Sequence, residues 1–152
     1  MTAKLVLDTN IPVAALRSKH GASRELLRLL AEDAFTALVS VPLFLEYESV
    51  LKRPEHLLGT GLLKPDLVDR FLDDFLLHAK PVVVSYLWRP QLNDPADEMV
   101  LEAAVNGQAD WIVTHNVRDF AIPAKRFKIG IIGPGQILKR LTLSEEFNHA
   151  PK

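Results

Sequence analysis

The sequence predicts an α/β fold, with a mostly parallel central sheet and helices packed against it. Two observations predict it. Short apolar, β-rich runs alternate with amphipathic helical stretches along all 152 residues. The runs are also apolar throughout, as parallel strands covered on both faces are.

The first run, Leu5 to Leu7, is such a strand. Residues 11–17 and 22–32 read as helices separated by "SKHGAS", the second with Leu26, Leu27, Leu29 and Leu30 as an apolar stripe. "FTALVSV", 35–41, is the next strand, and Pro42 suits the first turn of a helix reaching Arg53. "RPEHLLGTGLLKP", 53–65, carries breakers at both ends and reads as a loop or irregular helical connection. Residues 66–79 make the clearest amphipathic helix, with Leu67, Val68, Phe71, Leu72 and Phe75 along one face. "PVVVSYL", 81–87, reads as a strand and "RPQLND" as a loop, followed by a helix over 95–106. "WIVT", 111–114, and "KIGII", 128–132, are further strands, and a helix over 135–141 follows. Residues 1–142 are expected to form one domain, with 143–152 a flexible tail.

The totals exclude several classes. There is no cysteine, so disulfide frameworks, thiolate zinc sites and cysteine nucleophiles are out, and a cytoplasmic location is expected. No apolar run approaches the roughly 18 residues of a membrane span, and the N-terminus lacks the pattern of a signal peptide. A formal charge of −1 shows no basic excess for nucleic acid. A site built of carboxylates would hide such an excess, because its acids cancel a basic rim.

The acidic residues gather at informative places. Asp8 stands at the carboxyl end of the first strand, where open α/β sheets bind ligands. A helix cap is the competing role for it. In "NDPADEMVLEAAVNG", 93–107, Asp94 is an N-cap and Pro95 suits the first helical position. Asp97 falls near the middle of the stripe formed by Val100, Leu101, Ala104 and Val105, whereas Glu98 and Glu102 fall on the polar side. A carboxylate heading a buried face is costly unless something pairs with it. "DWIVTHNVRDF", 110–120, repeats the opening pattern and delivers Thr114, Asn116 and Asp119, with an Asx turn at Asn116 as the competing reading. Glu46 and Glu48 border the apolar face of their helix on opposite sides, and helical geometry does not choose between them. Converging carboxylates repel and raise one another's pKa values, and a hard divalent cation with oxygen ligands compensates. That chemistry is metal-assisted phosphoryl hydrolysis.

"LVLDTNIPVAAL", "SVPLFLEYESVLKRP" and "NDPADEMVLEAAVNGQADWIVTHNVRDF" together resemble the PIN-domain ribonucleases, closest to the VapC-like toxins of type II toxin–antitoxin pairs. The resemblance spans residues 4 to about 141. It implies a three-layer α/β/α sandwich, a Mg²⁺ or Mn²⁺ site, endoribonuclease activity on RNA and a cognate antitoxin protein. Carried over by position, it implies Asp8, Glu46, Asp97 and Asp119 as catalytic and metal-binding acids, with Thr9, Asn10, Asp94, Thr114 and Asn116 in support. Many relatives have an aspartate at the position of Asn116, which lends weight to a second reading: a catalytically weak PIN-like module for RNA binding or complex assembly. The leucine-rich first two helices leave room for a homodimer interface. A haloacid-dehalogenase-like phosphatase would need an aspartate where Asn10 stands, and "GPGQIL" lacks the third glycine of a dinucleotide loop. The five histidines share no metal spacing, and His115 alone lies beside the candidate residues.

Overall fold

The computed structural model of the chain describes residues 2–18, 20–53, 55, 64–87 and 89–149, with side chains described as far as 143. Five strands, β1 (Lys4–Leu7), β2 (Thr36–Val39), β3 (Ala79–Pro81), β4 (Trp111–Val113) and β5 (Gly130–Ile132), form one sheet in the order β3-β2-β1-β4-β5. All four pairings are parallel. Around them lie α1 (Asn10–Arg17), α2 (Ala22–Ala31), α3 (Val41–Leu51), α4 (Pro65–His78), α5 (Pro95–Asn106), α6 (Val117–Arg126) and α7 (Pro134–His149).

Leu5, Val6 and Leu7 are all fully buried. Successive strand side chains point to opposite faces, so both faces of β1 are covered and the sheet is the middle layer. The strand order also fixes where a ligand can bind. From β1 the chain winds outward through β2 to β3, then returns to β4 on the other side of β1 and ends at β5. The switch point falls between β1 and β4, and the crevice of such a sheet opens beyond the carboxyl ends of those strands. Residue 8 follows β1 and residue 114 follows β4, with Leu7 paired to Val113.

Helix ends follow from local chemistry. Ser40 caps α3 by accepting from the Leu43 N–H, and Asp94 caps α5 by accepting from the Ala96 N–H. Helices α2, α5 and α6 end in left-handed residues, Asp33, Gln108 and Lys128, with φ of 57°, 55° and 59°. In each case the next amide folds back five residues: Ala34 to Leu29 O, Ala109 to Ala104 O and Ile129 to Ala124 O. This is the Schellman arrangement, built here without glycine.

Three expectations are corrected. The strand expected over 81–87 is confined to 79–81, after which only the Val82 N–H continues the ladder, to Val39 O. As the sheet's edge, β3 has no second neighbour, and Val83 is 82% exposed. The last helix, expected over 135–141, spans Pro134–His149. Glu98 and Glu102 do not face solvent; both are buried beneath the segment that precedes α5. The loop expected over 53–65 lies mostly outside the described residues. No helix among the described residues is long and apolar enough to cross a membrane.

Candidate active site

Asp8 is buried at the end of β1. Its Oδ1 accepts from the Thr9 N–H at 2.7 Å and its Oδ2 from the Thr114 hydroxyl at 2.7 Å. The Thr114 oxygen in turn accepts from the Asn116 N–H at 2.9 Å. The N-cap of α1 is Thr9, whose side chain makes no cap bond, and Asp8 lies one residue ahead of it. Asn116 likewise leads α6 without a side-chain cap bond. Asn10 Oδ1 lies 3.5 Å from the His115 N–H, which ties the start of α1 to the turn after β4. Tyr47, fully buried on α3, donates its phenol to Leu7 O and so fixes the backbone just ahead of Asp8. An aromatic hydroxyl within an apolar stripe seeks such a partner, and that was its only signal in the sequence.

Electrostatics connect these walls. Burial pushes the Asp8 carboxyl up, its bonds to Thr114 and Thr9 pull it down, and the charges of His115 and Asp94 act in opposite senses. Asp97, half-buried at the head of α5, is pushed up to about 6, first by burial and then by Asp8, Asp94, Asp119 and Glu98. One strand end and two helix starts thus deliver acids to one neighbourhood. Glu46 is not among the charges acting on Asp97. It lies half-buried on α3, whereas Glu48 pairs with Lys52 at 3.5 Å and Lys52 with Asp69 at 2.6 Å.

Among the described residues no three Asp, Glu or His side chains already form a set able to hold a metal ion. Coulomb coupling reaches farther than a coordination bond, so the two findings describe a carboxylate-lined mouth rather than a closed cage. Mg²⁺ keeps several waters and takes one or two carboxylates directly, so an open mouth suffices. The donors are all oxygen, and Thr9 Oγ1 is buried without a hydrogen-bond partner among the described residues. These residues fit a hydrated hard cation. A groove of about 820 Å³ between α2 and α4 is bordered by Leu27, Phe71, Arg28, Arg70, Asp74 and His78 among others, and by none of the candidate acids.

A family model described as the PIN domain matches residues 4–118. The chain belongs to the PIN-domain family. The match takes in Asp8, Glu46, Asp97 and Asn116 and stops one residue before Asp119. PIN domains are in general nucleases. Among solved structures, this PIN domain is similar to the crystal structure of VapBC2 from Rickettsia felis bound to a DNA fragment from their promoter. The TM-score is 0.55 at 21% identity, over 86% of this chain and 98% of that chain, a likeness of fold. A search of curated proteins finds no match.

Proposed function

We propose that this PIN domain is a metal-dependent endoribonuclease, the toxin of a toxin–antitoxin pair. The observation that carries the reading is Asp8, a buried carboxylate at the switch point, held by Thr114 and the Thr9 N–H, whose charge acts on Asp97. A bound Mg²⁺ or Mn²⁺ would supply an activated water and neutralise charge on the phosphodiester. Asp8 and Asp97 would hold the ion, Asp119 would add charge from the last wall, and Asp94 would support Asp97. Thr114 and Thr9 orient Asp8, and Asn10 and Asn116 shape the turn that faces the substrate. Glu46, which forms no ion pair among the described residues, orients the attacking water and takes its proton. The water oxygen would bond to phosphorus as the bond to the leaving ribose oxygen breaks, and that oxygen would take a proton from solvent.

RNA is the substrate class, and the protein works in the cytoplasm with a cognate antitoxin, a partner suggested by the VapBC2 complex. Asp8→Asn is expected to lower Mn²⁺-dependent RNA cleavage by about 100-fold or more while circular dichroism stays unchanged. Retained cleavage would remove Asp8 from the site. A non-enzymatic RNA-binding or assembly module is the second reading, favoured by Asn116 where an acid would complete the walls. Wild-type protein that binds RNA but gains no stability from Mn²⁺ would decide for it.

A further inference from the structure

One side of α5 is used in a way the mechanism does not require. Glu98, Glu102 and Asn106 recur every four residues and so form one stripe along the helix. Each takes hold of the segment that precedes α5, described over residues 85–87 and 89–92. Asn106 accepts from the Ser85 and Tyr86 N–H groups, both at 3.1 Å, and donates to Tyr86 O at 3.1 Å. Glu102 receives the Arg89 guanidinium on both oxygens, the Nη2 contact at 3.2 Å. Glu98 Oε1 accepts from the Gln91 N–H at 2.6 Å and the Leu92 N–H at 2.8 Å.

Glu98 and Glu102 are each only 4% exposed. A buried carboxylate is costly unless its oxygens are met, and bonds from N–H groups to a charged acceptor are roughly twice as strong as neutral ones. Two buried acids therefore lock one short segment. That segment ends at the Asp94 cap, two residues beyond Leu92, and Gln91 also reaches α6, where its Oε1 accepts from Arg126 at 2.5 Å. The strap joins the helix carrying Asp97 to the helix carrying Asp119.

We propose that Glu98 is a positioning residue of the site: by fixing the Gln91–Leu92 end of the strap against α5 it holds the Asp94–Asp97 corner, and it does not itself bind the cation. The inference rests on the reading above that these acids take a divalent cation. Mn²⁺ titrations followed by thermal unfolding test it on wild type, Glu98→Ala and Glu98→Gln. Glu98→Ala leaves two amides without an acceptor and is expected to raise the half-saturating Mn²⁺ concentration about tenfold. Glu98→Gln keeps an Oε1 acceptor and is expected to stay within about twofold of wild type, whereas loss of a direct ligand would make both variants equally weak. Equal weakness, or an unchanged midpoint in Glu98→Ala, overturns the proposal while the metal reading stands. A wild type without any Mn²⁺ response overturns both. If Glu98→Ala does not fold, Asn106→Ala loosens the same strap from its far end; a weakened response supports the proposal and an unchanged one overturns it.

Discussion

At Asp97 the effects of burial and of neighbouring charge can be separated by titration. Its carboxyl is pushed up to about 6 from the ordinary 3.8. Between those values the folded chain binds more protons at this position than the unfolded chain, so the contribution of Asp97 to metal-free stability is most favourable below about 3.8 and falls as pH rises towards about 6. Asp97→Asn is expected to flatten that fall and to add about 1 kcal/mol at neutral pH, a figure reduced for the solvent that reaches this half-exposed group. Thermal unfolding without metal, across acidic to neutral buffers, measures it; an Asn variant as steep as wild type would contradict the assignment. The sequence made Asp8 and Asp97 legible, one by its place at a strand end and the other by breaking a helical stripe. Glu98 and Glu102 were illegible for a matching reason. Helical periodicity says which side of α5 faces the sheet, not that an extended strap covers the opposite side.

Among the elements, the pair β4–β5 is the most tightly specified. Gly130 stands opposite Trp111, whose ring lies 4.9 Å from the Arg140 guanidinium on α7. A Cβ added at Gly130 would lie 2.4 Å from the indole, which is braced by the helix behind it. Gly130→Ala is therefore expected to lower stability by about 1–3 kcal/mol, read as a reduced midpoint in urea, and an unchanged midpoint would show that the ring can move. Element types followed from apolar runs and amphipathic stripes, and α5 matched its expected bounds at both ends. The β3 boundary did not, because three consecutive valines carry high strand propensity whether or not a neighbouring strand exists. Propensity describes a residue; pairing belongs to the sheet. The left-handed ends at Asp33, Gln108 and Lys128 were equally hidden, since none carries the glycine that advertises such a turn.

For the whole molecule, a cation that binds the folded chain alone adds stability by mass action, about 2.7 kcal/mol at a hundredfold excess over its dissociation constant. For a chain of this size that corresponds to a rise of about 5–10 °C in Tm. Mn²⁺ is expected to produce such a rise in wild type and little in Asp8→Asn; equal rises would place the ion elsewhere. Because every strand runs the same way, the molecule also has a quiet rim. There the Lys4 N–H meets Asp110 Oδ2 at 2.8 Å, four residues upstream of Asp8 along β1, or about 13 Å. A fluorophore or surface tether attached through Thr2 would sit more than a strand's length from Asp8, leaving the opposite end of the sheet unobstructed.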